Sequence, residues 1–311
     1  YFTGLVGFWG SLVFYNSYLP DVAFEDQQDK LSAKGYSLGY IGSVILLLIS
    51  LAIVIGKEGQ EAMDSMRLTF VFTGVWWILF SQYSFYLLPK GNKKNQKVTS
   101  AVFFNGFREL VKVKKQLFEN LVLKRYLIAF FVYSMAVQTV MLVATYFGEQ
   151  EINWPTSEGK TMGLIISILV IQLVAVLGAI ITSRASAKFG NIPTLIVINI
   201  IWAVICVVAY FVTEPIHFYI TAGFVGLVMG GIQALSRSTY SKFLPKTDDT
   251  ASYFSFYDVS EKIGIVIGMG LYGLIDQLTG SMRNSIVFLT LFFVGGVLLL
   301  IRVHKKTISE E

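Results

Sequence analysis

The sequence predicts an all-α polytopic membrane protein. Of its 311 residues, 54% are hydrophobic and 14% are charged, and the mean hydropathy is +0.63. Soluble domains carry roughly a quarter of charged residues, so this composition fits a lipid environment. The apolar runs are also continuous, as from Ile41 to Ile55, whereas a barrel strand alternates apolar and polar residues over about 10 positions. Helices are therefore expected to cross the membrane.

Nine stretches have the length of about 20 residues and the apolar character of a membrane span. They are 1–23, 37–56, 67–88, 126–147, 162–183, 193–213, 217–238, 254–275 and 284–303. The long connection 89–125 is predicted to separate 1–88, the remainder of one half of a bundle, from 126–303, a half of six spans. Residues 304–311 then form a tail. Because Tyr1 stands at the start and no basic segment precedes the first apolar run, we expect the chain to be a fragment.

Basic residues predict the orientation of the chain. The connections 24–36, 89–125, 184–192, 237–262 and 302–311 hold 21 of the 25 Lys and Arg residues, and they alternate with acidic connections. Basic loops stay in the cytoplasm, so the linker and the carboxyl tail are predicted to be cytoplasmic. The bases flank apolar spans, which argues against nucleic-acid binding.

Within the linker, apolar residues recur at steps of three and four beside Lys112, Lys114 and Lys115. This spacing predicts an amphipathic helix in the cytoplasmic interface of the membrane. The apolar residues are Phe103, Phe107, Leu110, Leu117, Phe118 and Leu121.

Two landmarks recur along the chain and indicate an internal repeat. A Leu-Pro pair ends the first span at Pro20 and the seventh at Pro245, an offset of 225 residues. An Ile-Gly pair follows at Gly42 and at Gly264, an offset of 222 residues. If spans one to three correspond to spans seven to nine, nine of an expected twelve helices are present, in two parallel halves.

Several motifs resemble known transporters. The stretch from Gly178 to Gly190, with Arg184 and Lys188, is similar to the short loop motif of the major facilitator superfamily, although Ser183 stands where that motif has Asp. Four further stretches resemble a narrower group, the vacuole effluxer family related to autophagy protein twenty-two and its bacterial relatives. They are Val13-Phe-Tyr-Asn-Ser-Tyr-Leu-Pro20, Tyr133-Ser-Met-Ala-Val-Gln-Thr139, Gly230-Gly-Ile-Gln-Ala-Leu-Ser-Arg-Ser238 and Phe254-Ser-Phe-Tyr-Asp-Val-Ser-Glu-Lys262.

This resemblance implies a major-facilitator-like bundle and a secondary active transporter, expected to work by alternating access as an effluxer of a small polar solute such as an amino acid. It places the protein in a cell membrane, with the bacterial inner membrane as the expected location. A monomer without cofactor is expected.

Polar residues deep in the spans are candidates for a substrate pocket, because a polar group in hydrocarbon is costly unless it faces the bundle interior. The candidates are Tyr15, Asn16, Gln138, Thr139, Gln172 and Gln233. The alternative interpretation is that they join helices by hydrogen bonds of about 0.6 kcal/mol each.

A charged group is expected nearer the cytoplasmic ends of the seventh and eighth spans. It contains Arg237, Asp258, Glu261 and Lys262, and with Arg184 and Lys188 it supplies candidates for gating or coupling. A carboxyl group that loses water is protonated more readily, so Asp258 or Glu261 is a candidate for proton coupling. The alternative is a solvated helix end with an ion pair worth under about 1 kcal/mol.

The sequence offers little to an enzyme. One Cys and two His exclude a Cys/His zinc site, and His217 and His304 lie at a helix end and in the tail, away from any position for a general base. We therefore predict no catalytic residue and no metal ligand. Two hypotheses stay open: a secondary solute transporter with a polar central cavity, and a non-transporting membrane scaffold or receptor whose polar residues satisfy one another.

Overall fold

The computed structural model describes residues 2–89, 102–247 and 249–308, and these ranges are helical almost throughout. The helices are α1 (Phe2–Ser17), α2 (Leu19–Val22), α3 (Gln28–Val54), α4 (Gly59–Leu87), α5 (Val102–Glu119), α6 (Leu121–Glu151), α7 (Ser157–Phe189), α8 (Asn191–Ala209), α9 (Pro215–Phe243), α10 (Thr250–Thr279) and α11 (Met282–Ile308). A short 3₁₀ turn, Glu25–Gln27, leads into α3. Residues 90–101 of the predicted linker and 309–311 of the predicted tail lie outside the described ranges.

Seven of the described helices are long and apolar enough to cross a membrane: α3, α4, α6, α7, α8, α9 and α11. The other two predicted spans, 1–23 and 254–275, do not combine the length and the apolar character that this requires. Span 1–23 breaks into the 16-residue α1 and the short α2, whose first turn contains Pro20. The 30-residue α10 is long enough, but four charged side chains lower its apolar character: Asp258, Glu261, Lys262 and Asp276. The all-α membrane fold is confirmed. Among the described residues, seven helices rather than nine are long and strongly apolar.

The core lies among α6, α8, α9, α10 and α11. Trp202 of α8 stacks on Phe293 of α11, with ring centroids 5.5 Å apart. On the other side of α6, Phe130 stacks on Tyr257 at 4.1 Å, and Tyr240 of α9 stacks on the same ring at 4.8 Å. Such aromatic pairs add about 0.5–1.5 kcal/mol beyond the burial of their area.

Helices α7 and α9 pack backbone against backbone at three glycines, Gly178, Gly226 and Gly230. A Cβ atom at Gly178 would collide with the main-chain carbonyl of Leu227, and one at Gly230 with that of Ala175. Small residues permit this close approach in membrane helices. The contact is therefore fixed by the main chain.

The predicted amphipathic helix forms as α5, with a modified role. Its apolar face, with Val113 and Leu117, is buried against α6 and α10, and Tyr253 of α10 donates a hydrogen bond to Gln116 at 3.1 Å. Phe107 on the outer side is 72% exposed. The helix is docked on the bundle by one face rather than lying wholly in the membrane interface.

The amino-terminal helices contact the rest of the molecule through α1 and α3. Helix α3 packs against both α7 and α9, and α1 packs against α10. Helix α4 contacts α3 and leaves most of its apolar side chains exposed. In the helices that follow the repeated prolines, Gly42 and Gly264 each occupy the fifteenth position, of α3 and α10 respectively. The division into two related halves stays a prediction.

Candidate functional site

Polar contacts concentrate where α1 and α3 meet α7, α9 and α10, a surface that we call the seam. Helix α3 carries polar side chains at Asp29, Ser32, Tyr36 and Tyr40, which are spaced by three or four residues and so lie on one face. This face meets α9 at three levels, described in turn below.

The level between the other two along α3 is built around Arg237 of α9, which is 4% exposed. Its Nε donates to Ser32 Oγ at 3.0 Å and Nη2 to the Ser32 carbonyl at 3.1 Å, while Nη1 donates to Asn16 Oδ1 at 3.0 Å. The guanidinium lies between two rings, 5.3 Å from the centroid of Tyr15 and 4.6 Å from that of Tyr36. Planar Arg suits both the forked hydrogen bonds and the ring stacking. One side chain thus joins α9 to α1 and α3.

The level nearest the start of α3 is an ion pair between the first turn of α3 and the last turn of α9. Lys242 Nζ lies 2.7 Å from Asp29 Oδ2, with side chains 19% and 9% exposed. Asn191 at the start of α8 donates to Asp29 Oδ1 at 2.9 Å, and Ser186 of α7 donates to Oδ2 at 3.1 Å. Three donors from three helices therefore converge on one carboxylate, which fixes its geometry better than an isolated surface pair.

This arrangement revises the interpretation of the loop motif. Residues 178–189 are the end of α7 rather than a loop, and Gly190 with a φ of 87° turns the chain into α8. Asp29 of α3 brings a carboxylate to this end of α7, where it accepts a hydrogen bond from Ser186. Arg184 and Lys188 are exposed at the end of α7, and Lys188 contacts the ring of its neighbour Phe189 at 5.2 Å. The structure does not bring these two cations to the acidic residues of α10.

The third level lies near the middle of the helices. Tyr40 of α3 donates a hydrogen bond to Gln233 Oε1 at 2.5 Å, and Gln233 Nε2 lies 3.5 Å from the sulfur of Met141 of α6. One turn of α6 away, Gln138 Nε2 donates to Glu261 Oε1 of α10 at 2.8 Å. Amides from the predicted pocket thus connect α3, α9, α6 and α10.

Glu261 belongs to a charged cluster with Asp258 and Lys262. Lys262 Nζ lies 2.7 Å from Glu261 Oε2, 3.3 Å from Asp258 Oδ1 and 3.5 Å from the ring centroid of Trp9 in α1. Glu261 is the twelfth residue of the 30-residue α10, in the third to fourth turn of that helix, and it accepts the hydrogen bond from Gln138. The charged and amide groups, predicted at different depths, therefore meet.

The remaining pocket candidates are distributed differently. Tyr15 and Asn16 contact Arg237 and so belong to the seam. Thr139 is fully buried and donates to the Met135 carbonyl of its own helix at 2.7 Å, so it serves the contact of α6 with α10 rather than a pocket. Gln172 is half-buried, one turn of α7 from Val176, whose carbonyl accepts a hydrogen bond from α3.

Sequence reasoning missed seven seam residues, of which four contact predicted ones, whereas Asp29, Asn191 and Lys242 contact one another. The seven are Trp9, Asp29, Ser32, Tyr36, Tyr40, Asn191 and Lys242. The segment 24–36 is predicted to be a basic connection, yet in the structure residues 28–36 are the first turns of α3 and follow the 3₁₀ turn Glu25–Gln27. A helical period continued backward from residue 37 would have revealed its polar face.

The fold is that of transporters of the major facilitator superfamily. The structure resembles crystal structures of the Escherichia coli fucose:proton symporter FucP, one a variant with a TM-score of 0.66 at 15% identity, covering 94% of this chain and 72% of that one. A bacterial homologue of the iron transporter ferroportin gives a TM-score of 0.52 at 13% identity, over 93% of this chain and 66% of that one. At these identities the likeness concerns the fold alone.

Sequence similarity shows the family. The vacuole effluxer Atg22-like family matches residues 1–311, and the chain belongs to it. The uncharacterised MFS-type transporter YxiO of Bacillus subtilis is 31% identical over 318 residues, which cover 100% of this chain and 71% of YxiO. Autophagy-related protein 22 of Eremothecium gossypii is 24% identical over 322 residues, covering 91% of this chain and 60% of that protein. The predicted resemblance is confirmed, and the protein is a multi-pass membrane transporter rather than an enzyme.

Proposed function

We propose that the protein exports a small zwitterionic solute of the amino-acid class by alternating access, with the seam as its cytoplasmic gate. The observation that carries this proposal is the environment of Arg237. Its contacts to α1 and α3 are hydrogen bonds and ring stacking between side chains, which can be exchanged for contacts with water when the helices part. The basic residues in the neighbouring connections support a cytoplasmic position for this end of the seam.

A closed cytoplasmic gate corresponds to an outward-facing state. Two structural neighbours are described in that state: FucP in the outward conformation, with a TM-score of 0.59, and the outward-facing ferroportin homologue. The contacts of Asp29 and Arg237 described above would both break in the inward-facing state. The transport cycle then alternates between this closed seam and an open one.

The substrate class follows from the charges at the third level. Glu261 and Lys262 present both signs near the middle of α10, beside the amides Gln138 and Gln233 and the ring of Trp9. A solute with an ammonium and a carboxylate complements this set, and an aromatic ring favours its cationic end. Export is supported by the effluxer description of the family.

Proton coupling belongs to the same cluster. The side chains of Asp258 and Glu261 are 13% and 18% exposed and share Lys262. Protonation of Glu261 would remove one of the two anions that hold Lys262 and would so alter its contact with Trp9. The name of the fucose:proton symporter shows that this fold accommodates proton coupling elsewhere.

The scaffold hypothesis predicted that the polar side chains within the spans satisfy one another, and Gln138 and Gln233 do have partners. Family membership nevertheless favours transport, because the relatives are described as effluxers and MFS-type transporters. We place the protein in the bacterial inner membrane, as a monomer.

The test is flux through the full-length protein in proteoliposomes loaded with labelled amino acids, peptides or sugars, with and without a proton gradient. We expect saturable amino-acid flux that depends on the gradient and falls at least tenfold in Gln138→Ala and Glu261→Gln. The control is Gln277→Ala, which removes an exposed amide from the same α10. Flux of sugars alone would contradict the substrate class, and folded protein without flux of any solute would contradict transport of these classes.

A further inference from the structure

A basic pocket lies away from the seam, between the start of α6 and the end of α11. It has a volume of about 510 Å³ and is lined by Arg125, Ile128, Leu299, Arg302 and Lys305. Arg125 falls in the second turn of α6, and Arg302 and Lys305 fall in the last two turns of α11. The two helices pack against each other, and Ile128, Arg302 and Lys305 are exposed at the pocket.

The charge of this pocket is unbalanced. Three of its five lining residues are cations and the other two are apolar. Within the described part of the chain, no salt bridge involves Arg125, Arg302 or Lys305. Arg125 Nη1 donates to the main-chain carbonyl of Arg302 at 3.3 Å, which holds its guanidinium over the end of α11. Cations gathered in this way repel one another unless an anion lies between them.

The apolar part of the pocket lies one turn deeper in the membrane. Ile128 follows Arg125 by three residues, and Leu299 precedes Arg302 by three, so each apolar side chain lies beneath a cation on the same helix face. Ile128 is 42% exposed, and the neighbouring Leu298 is 58% exposed. The surface thus offers cations at the level of lipid headgroups and an apolar strip at the level of acyl chains.

We infer that this pocket binds an anionic phospholipid, with the phosphate among the three cations and an acyl chain along Ile128 and Leu299. Basic pockets between membrane helices bind acidic lipid headgroups, and each cation near such a surface strengthens binding about fivefold. Free phosphate shares the anionic chemistry but would leave the apolar strip without a role. The inference is independent of the transported solute, because the pocket lies outside the seam.

Native mass spectrometry of the delipidated full-length protein tests this inference, with phosphatidylglycerol, phosphatidylcholine and inorganic phosphate as probes. The variant is Arg125→Gln/Arg302→Gln/Lys305→Gln. Its control, Arg184→Gln/Lys188→Gln/Lys246→Gln, removes three exposed cations from other helix ends. We expect phosphatidylglycerol to bind at least tenfold more tightly than phosphatidylcholine, and the pocket variant alone to lose at least tenfold.

Several results would overturn the inference. Equal binding of the two lipids, or equal loss in the control, would mean that no selective site exists at α6 and α11. Displacement of the lipid by an equal concentration of inorganic phosphate would assign the pocket to free anions. If the triple variant does not fold, the exposed Lys305→Gln alone carries the test, with an expected loss of about fivefold; no loss in that variant would reject the site.

Discussion

Replacement of Arg237 by Lys tests whether the seam opens. The substitution keeps the positive charge but removes the planar fork that reaches Ser32 and Asn16 and stacks between two aromatic rings. The ammonium group of Lys carries its three donors on a single nitrogen and cannot span the separate acceptors that the fork reaches on Ser32 and Asn16, so we expect it to lose two of the three hydrogen bonds. The closed state should therefore lose stability relative to the open state.

The size of the effect follows from the contacts. Hydrogen bonds to charged groups contribute about 1.5–3 kcal/mol each, so the loss of two from Arg237 weakens closure by about 3 kcal/mol. At 1.36 kcal/mol per tenfold change, this is a shift of about 100-fold in the ratio of open to closed protein. Water that enters the altered seam recovers part of it, and we expect a rise of at least tenfold in the open fraction.

A thiol placed in the seam reports this fraction. Ser37 is 6% exposed and faces α7, so Ser37→Cys in a Cys206→Ala background is protected while the seam is closed. We expect a hydrophilic thiol reagent to label it at least tenfold faster in Arg237→Lys than in the parent. Arg184→Lys, at an exposed position of α7, is the matched control. An unchanged labelling rate, together with a lowered thermal stability, would show that Arg237 stabilises the fold without acting in a gate.

Three further predictions concern contacts at the ends and centre of the bundle. Asp29→Asn should raise the labelling rate of the Ser37→Cys reporter, because it removes the ion pair with Lys242. The exchange Asp29→Lys/Lys242→Asp should restore protection of that thiol. If the exchange fails to do so, the pair does not act through its charges. Gly178→Ala should lower the apparent Tm in detergent by an overpacking cost of about 1–3 kcal/mol, whereas Gly270→Ala, with open space around its Cβ, should not; equal effects would contradict the close approach of α7 and α9. Arg283→Ala should destabilise the opposite end of the bundle by about 2–3 kcal/mol, measured by thermal unfolding, because this Arg joins α6, α8 and α11 by four hydrogen bonds; a Tm equal to that of the parent would refute its role.

The spans could be predicted because a membrane helix is recognisable from its own sequence, through the run of apolar residues that lipid requires. The polar start of α3 could not be found in the same way. A hydropathy scan treats a charged segment as a connection, although Asp29 and Ser32 lie on a helix whose polar face is covered by α7 and α9. Tertiary contacts determine whether such a segment is a connection or the start of a helix, and a single sequence does not reveal them.

The pairing of Gln138 with Glu261 escaped prediction for a related reason. The sequence gives each residue a depth from the limits of its apolar run, and α10 extends four residues beyond each limit of the predicted span, which leaves its middle unchanged. The contact instead depends on how α10 packs against α6 and on the reach of the two long side chains, since Gln138 donates to Glu261 at 2.8 Å. Residue type and span order indicated which side chains matter, whereas the register of one helix against another determined their partners.

Two kinds of helix contact in this molecule differ in what separation would cost. At Gly178 and Gly230, α7 and α9 touch through their main chains, and parting them would leave a gap that neither water nor lipid fills equally well. Across the seam, the contacts of Arg237 and Asp29 are polar, and water can replace each partner. The energetic cost of separation is thus lower along α3 than between α7 and α9. Under the proposed function, the bundle therefore divides at the seam, with α7 and α9 moving as one body.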